Sequence, residues 1–144
     1  MSRVLQFQIT NDIEEIETLH DRVAEFTRQH KFSQKTMFQI SLALEEIITN
    51  IVNYAFEDDR EHIITIRISQ GKREICVEII DDGKGFNPLD VPEPDLNAPI
   101  EEREIGGLGI HLVKSVMSEV KYRRAGDQNH LYLKKEILFT RMKG

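Results

Sequence analysis

Three groups of residues have the types and spacing that chemistry needs. Glu46 and Asn50 stand four apart, and Asn53 extends the same line. On a helix that spacing stacks side chains one turn apart on one face. A carboxylate and an amide set among apolar neighbours carry a desolvation penalty unless they are partnered. A metal-bound phosphate would be such a partner. The Asn carbonyl oxygen is a hard ligand suited to Mg2+, which takes few protein ligands and keeps several waters. The Glu can orient or deprotonate an attacking hydroxyl or water. The second group is Asp81-Asp82-Gly83-Lys84-Gly85 at the end of an apolar alternation. Its glycines permit positive φ and close approach of a ligand to the backbone. A buried Asp at a strand end can accept a hydrogen bond from an exocyclic amine such as that of adenine. The third group, Gly106-Gly107-Leu108-Gly109, opens a helical pattern. Backbone N–H groups at a helix N-terminus hold phosphate, helped by the helix dipole.

Each group also has a plainer reading. Glu46 and Asn50 fit a solvated polar face, the Asp/Gly run an ordinary turn, and the glycines before the last helix a hinge. The third group is neither of two common phosphate loops. No strand immediately precedes it and Leu112 stands where a Rossmann glycine would, and no Gly-Lys-Ser/Thr follows.

The elements that must position these residues follow from periodicity. Leu5, Phe7 and Ile9 alternate with polar residues, which predicts a half-buried strand. Asn11 or Asp12 then caps a helix with the stripe Ile13, Ile16, Leu19, Val23 and Phe26. Ser33 opens a second helix. Its stripe is Met37, Ile40, Leu44, Ile47, Ile51 and Tyr54, widened by Phe38, Leu42 and Val52, so it is expected to be deeply buried. Ile64, Ile66 and Ile68, then Ile75, Val77 and Ile79, alternate on either side of Gln70-Gly71-Lys72-Arg73 and predict a hairpin. Asn87 to Ile105 holds four prolines, six acidic residues and no period; a stretch of that length is a functional lid or disordered. Ile110, Val113, Val116 and Met117 mark a third helix. A second hairpin runs through Val120, Tyr122 and Arg124, turns at Gly126-Asp127 and returns through Leu131, Leu133, Lys135 and Ile137. Lys134 and Lys135 read as a solvated edge, Cys76 as structural, and His111 as a packing or surface residue. The order β-α-α-β-β-loop-α-β-β predicts an α+β fold. The expected form is a two-layer sandwich: a mixed, mostly antiparallel sheet of about five strands with helices on one face.

Composition narrows the function. The chain has 144 residues and a formal net charge of −6, with 19 Lys+Arg against 25 Asp+Glu. That length suits one domain, here 1–144. An acidic chain has no general attraction for nucleic acid. The single cysteine excludes an internal disulfide and a Cys-based zinc site. No stretch approaches the about 18 apolar residues of a membrane span, and no signal peptide is evident. A cytoplasmic protein without a membrane partner is expected.

Together the three groups resemble the GHKL ATP-binding fold shared by gyrase, heat-shock chaperones, histidine kinases and mismatch-repair proteins. Glu46-x-x-x-Asn50 is similar to the N box, Asp81-x-Gly83-x-Gly85 to the first glycine box, and Gly107-x-Gly109 to the second. Within that superfamily the chain looks like the small bacterial anti-sigma-factor serine/threonine kinases. The segments Leu42–Asn50 and Gly107–Val113, with Met117–Val120, carry that likeness. The resemblance implies ATP and Mg2+ as cofactors, with a lid at about 84–107. It makes Glu46 the base toward a serine of a partner, Asn50 the Mg2+ ligand and Asp81 the reader of the adenine amino group. Asn53, Gly83 and Leu108 join the nucleotide contacts; Gly85 lets the base approach, and Gly107 with Gly109 cradles phosphates. The implied partners are an anti-sigma-factor antagonist and a sigma factor, and a homodimer is suggested. Kinase members often carry an arginine just before the second glycine box, where this chain has Ile105 with Arg103 nearby. That departure leaves open a second function, a nucleotide-dependent regulatory binding module without phosphoryl transfer.

Overall fold

The computed structural model describes residues 3–28, 33–90 and 107–137. Strand β1 (Arg3–Thr10) leads through a 3-10 turn (Ile13–Glu15) to α1 (Ile16–Arg28) and α2 (Gln34–Tyr54). The hairpin β2 (Ile63–Gln70) and β3 (Glu74–Asp81) follows, then α3 (Gly107–Val116) and the hairpin β4 (Glu119–Ala125) and β5 (Gln128–Glu136). The five strands form one sheet in the order β1-β2-β3-β5-β4, and all four ladders are antiparallel. Where the sequence left room for a parallel pair, the described residues contain none. The predicted lid falls largely on 91–106, outside the described residues.

Helix starts obey their caps. Asp12 Oδ1 accepts from the Glu14 N–H at 3.0 Å, and Ser33 Oγ accepts from the Thr36 N–H at 3.1 Å. Each satisfies an amide that a helix start would otherwise orphan.

Besides the row through Gln70, Ile75 and Lys135, register sets three rows on the inward face of the sheet. The first is Leu5, Ile68, Val77, Leu133 and Val120; the second is Phe7, Ile66, Ile79, Leu131 and Tyr122. The third begins with Ile9 and Ile64 and then turns polar, with Asp81, Asn129 and Arg124 side by side. Leu19, Val23 and Phe26 of α1, Ile40, Leu44, Ile47 and Ile51 of α2, and Ile110 and Val113 of α3 join these rows in one core. Burying each such side chain contributes roughly 1.5–3 kcal/mol.

Three expectations need correction. Tyr54 is 50% exposed and Phe38 68% exposed, so the α2 stripe is narrower than its spacing implies. Tyr54 is the last residue of the helix, and Phe38 lies about half a turn around it from the buried Ile40, on the side away from the core. Tyr54 instead packs against Phe86, with ring centroids 5.9 Å apart. Lys134 and Lys135 do not lie on an edge, because β5 is covered by β3 and β4. Lys134 pairs with Glu74 at 3.2 Å, and Lys135 Nζ donates to the Val116 carbonyl at 2.6 Å at the end of α3.

The connection between α2 and β2 is latched by His62. Its Nε2 lies 2.7 Å from Asp58 Oδ1 and its Nδ1 2.9 Å from Asp82 Oδ1, and its ring stacks on Phe56 at 4.4 Å. The Asp58 hydrogen bond raises the His62 pKa above its ordinary 6.5; burial, the next largest effect, opposes it, and the Asp82 hydrogen bond adds to the rise. Hydrogen bonding by His62 lowers that of Asp58 below 3.8. A raised histidine stabilises the fold fully below 6.5, and the contribution disappears as pH rises through the folded-state value; the lowered Asp58 loses its contribution as pH falls through its own. Urea unfolding of His62→Gln against the wild type should therefore show its largest stability deficit between about pH 4 and 6.5, shrinking by pH 9. A deficit independent of pH would contradict the ion-pair latch.

Candidate functional site

The site forms where the C-terminal end of α2 meets the end of β3. Gly83 is buried there, and a Cβ on it would lie 2.5 Å from the Ala55 carbonyl oxygen and 2.9 Å from both Ala55 Cβ and Asp81 Oδ1. The next residue closes the contact: the Lys84 N–H donates to the Ala55 carbonyl at 2.9 Å. Gly83 is thus required for space. Its backbone is not left-handed, since among the described residues only Gly126 has positive φ, at 58°. Gly85 is exposed, and the nearest atom to a Cβ there would be Arg124 Cδ at 4.0 Å. Open space over Gly85 is compatible with a flat ligand lying on the backbone.

Asp81 is 3% exposed. Its Oδ1 accepts from the Gly83 N–H at 2.8 Å and from Asn129 Nδ2 at 2.9 Å. Burial pushes its carboxyl above the usual value, while those two hydrogen bonds pull it partly back. The sequence reading missed Asn129, which is 3% exposed. Its Nδ2 also donates to the Lys84 carbonyl at 2.8 Å. Its Oδ1 accepts from the Phe86 N–H at 3.2 Å, from Arg124 at 3.1 Å and from the Tyr122 hydroxyl. Arg124 Nη1 donates as well to the Gly83 carbonyl at 2.6 Å. The missed signal was phase: Asn129 and Arg124 occupy inward positions in step with Leu131 and Tyr122, where apolar residues belong. Lys84 forms an ion pair with Glu57 at 2.9 Å.

On α2, Asn50 is 4% exposed and its Nδ2 makes no hydrogen bond. Native proteins rarely leave such a donor unpartnered, so Asn50 stands apart from the other buried polar residues. Glu46 lies one turn earlier and is half-buried. It takes no hydrogen bond or ion pair among the described residues, whereas Glu45 beside it pairs with His20 at 3.3 Å. Burial, and then the Glu45 charge, raises the Glu46 pKa above 4.5, making it a stronger proton acceptor than an ordinary carboxylate. Asn53 is exposed on the last turn. Gly107, Leu108 and Gly109 form the first turn of α3, which packs against α2. The arrangement therefore brings Glu46, Asn50, Asp81, Gly83 and Gly85 onto two touching elements, with the α3 start on a neighbouring one. Gly106, Ile105 and Arg103 lie outside the described residues.

Comparison with known proteins decides what this arrangement is. A model of the histidine kinase-like ATPase domain matches residues 9–135. The chain belongs to that GHKL family of ATPase domains. Its relatives include the serine/threonine-protein kinase BtrW of Bordetella bronchiseptica, 29% identical over 103 residues, 72% of each chain. The anti-sigma F factor of Caldanaerobacter subterraneus is 30% identical over 99 residues, 69% of this chain and 68% of its own. The serine-protein kinase RsbW of Listeria monocytogenes is 29% identical over 94 residues, and the match spans 60% of its length. Within the GHKL family the chain thus groups with anti-sigma kinases. Two solved structures share the fold. The RsbU and RsbW domains of Rv1364c from Mycobacterium tuberculosis superpose with a TM-score of 0.64 at 13% identity, covering 92% of this chain and 32% of that one. The Acinetobacter baumannii histidine kinase AdeS gives 0.50 at 16% identity, covering 94% and 68%. Membership in an ATPase domain family makes ATP the ligand of this GHKL domain. No helix among the described residues is long and apolar enough to cross a membrane.

The two glycines of the first box should respond differently to an added methyl. Gly83→Ala forces Cβ into Ala55 and should cost about 1–3 kcal/mol of unfolding free energy. Gly85→Ala should stay within about 0.5 kcal/mol of the wild type in the absence of nucleotide. Parallel thermal melts separate the two, and equal losses would contradict the close approach.

Proposed function

We propose that the chain is an ATP-dependent serine/threonine kinase that phosphorylates an anti-sigma-factor antagonist and sequesters a sigma factor. The observation that carries this reading is convergence on one helix. α2 presents Glu46 and Asn50 one turn apart, and its end at Ala55 holds the turn that follows Asp81. The names of BtrW, RsbW and the anti-sigma F factor support the choice of substrate and partner. The reading takes 1–144 as one ATPase domain with a lid at about 84–107, acting in the cytoplasm as a homodimer.

In this reading Asp81 accepts from the adenine amine, and Gly83 with Gly85 keeps side chains off the base. Asn53 borders the nucleotide, while the amides of Gly107, Leu108 and Gly109 face its phosphates. Asn50 fits a Mg2+ ligand through its carbonyl oxygen, a hard donor that, unlike Nδ2, is not among the sealed unpaired atoms of the described residues. Bound Mg2+ supplies charge neutralisation on the phosphates. Glu46 accepts the proton of the attacking serine hydroxyl. The serine oxygen bonds to the γ-phosphorus, the bond from that phosphorus to the β–γ bridging oxygen breaks, and ADP leaves.

Two experiments test this reading. With labelled ATP and a cognate antagonist, Glu46→Gln should transfer phosphate about 10²–10⁴-fold more slowly while still binding ATP. Full labelling by that variant would remove Glu46 from its role. ATP-dependent capture of a partner without any phosphoprotein would instead select the binding-module reading.

Asn50→Leu replaces an unsatisfied buried amide with an apolar side chain of similar size. Without ligand it should unfold at or above the wild-type temperature, by about 1 kcal/mol. The wild type should gain ~2.7 kcal/mol from Mg-ATP at about a hundredfold over its dissociation constant, and the variant should lose the Mg2+-dependent part. An Asn50→Leu protein with an undiminished Mg2+-dependent shift would refute the assignment.

A further inference from the structure

The carboxylate of Asp81 has two oxygens, and they are not equivalent. Oδ1 already accepts two hydrogen bonds, from the Gly83 N–H and from Asn129 Nδ2. Oδ2 has no partner among the described residues, and it is not among the sealed unpaired atoms, where only Asn50 Nδ2 stands. Two donors on one oxygen fix the rotation of the group and leave the other oxygen as the single acceptor facing a ligand.

Asn129 can be oriented in only one sense. Its oxygen sits among three donors: the Phe86 N–H, Arg124 Nη1 and the Tyr122 hydroxyl. Its two N–H bonds go to Asp81 Oδ1 and to the Lys84 carbonyl. A flipped amide would set NH2 against the Phe86 and Arg124 donors and a carbonyl oxygen against two acceptors. The network itself therefore decides which end of the amide meets Asp81. Arg124 completes the arrangement by holding the Gly83 carbonyl, so both ends of the turn under Asp81 are tied to the β4–β5 hairpin.

We infer that Asn129 is a specificity-positioning residue: by occupying Asp81 Oδ1 it leaves one fixed acceptor, Oδ2, and so makes the site select a purine with an amino group at position 6. This rests on the reading of Asp81 as the base-recognising group. A fixed acceptor rewards a donor on the base and leaves an unpaired buried oxygen when the base lacks one. Without Asn129 only the Gly83 N–H holds Oδ1, so the carboxylate is less firmly oriented and the reward for the amine falls.

The test compares ATP with purine riboside triphosphate, which lacks only the amino group, by titration calorimetry with Mg2+ on the full chain. The wild type should prefer ATP by at least tenfold, the discrimination of one hydrogen bond to a charged acceptor. Asn129→Ala should bring the two affinities to within about threefold, chiefly by weakening ATP. If Asn129→Ala fails to fold, Tyr122→Phe carries the test. It removes one donor that steers the amide without touching Asp81, and should narrow the preference by about twofold or more. Equal weakening of both nucleotides, with the preference intact in the variant, would make Asn129 merely structural and overturn the inference. A wild type that does not distinguish the two nucleotides would instead overturn the reading of Asp81 on which it rests.

Discussion

The close approach of Gly83 to Ala55 is the constraint on which the site depends. A helix ends with carbonyls that have no partner within the helix. Here the Ala55 carbonyl is taken by the Lys84 N–H at 2.9 Å, so the turn after β3 acts as part of the cap of α2. Only a residue without Cβ fits at Gly83, and only a small one suits position 55, where Ala55 is buried. The contact joins two elements far apart in the chain and sets Asp81 beside the helix that carries Glu46 and Asn50. A larger residue at either point would push the turn outward and separate the groups it brings together.

The second constraint is the polar row at one end of the sheet. Two inward rows are apolar from β1 to β4, while the third changes at β3 to Asp81, Asn129 and Arg124. Burying such groups is unfavourable unless all are hydrogen-bonded, and a fully connected network then fixes one geometry. Asn129 meets that condition with both N–H groups and its oxygen engaged. Asn50 does not, because its Nδ2 is sealed and unpaired. The contrast separates two kinds of buried amide. One is finished within the protein and shapes the site; the other keeps an unsatisfied donor among the described residues.

Fold and site were unequally legible in the sequence. Element order, both hairpins, the cap at Ser33 and the pair Asn11 or Asp12, of which the structure uses Asp12, followed from local patterns, because alternation and capping act within a few residues. The width of the α2 stripe did not, since which flank of the helix stays open depends on what packs against it. The charged strand residues Lys134 and Lys135 misled for the same reason: an edge is a property of the strand order, here β3-β5-β4, which spacing within β5 does not carry. The glycine boxes were found as motifs with an incomplete reason attached. Positive φ was one expectation, yet Gly83 is required by a neighbour twenty-eight positions earlier, Ala55, that only the folded chain supplies. Asn129 stood in plain phase with Leu131 and Leu133 and could have been flagged as an amide in an apolar position. Its partners, drawn from two separate segments, could not.

Charge at the site leads to a last step. The chain carries a formal net charge of −6, and the cations nearest the glycine turn are already engaged. Lys84 is held by Glu57, and Arg124 by the Gly83 carbonyl and Asn129. Pulling either away to meet a phosphate would break contacts that shape the turn under Asp81. A triphosphate arriving here would therefore meet few uncommitted side-chain cations among the described residues. In the proposed reading its charge is countered by backbone N–H groups at the start of α3, where the helix dipole helps, and by a metal ion at Asn50. Fixed donors and a metal orient a phosphate more sharply than flexible lysines do. The same commitment of Lys84 and Arg124 to the turn keeps Asp81 in place, so in the proposed reading holding the base and leaving the phosphates to amides and metal are two consequences of one arrangement.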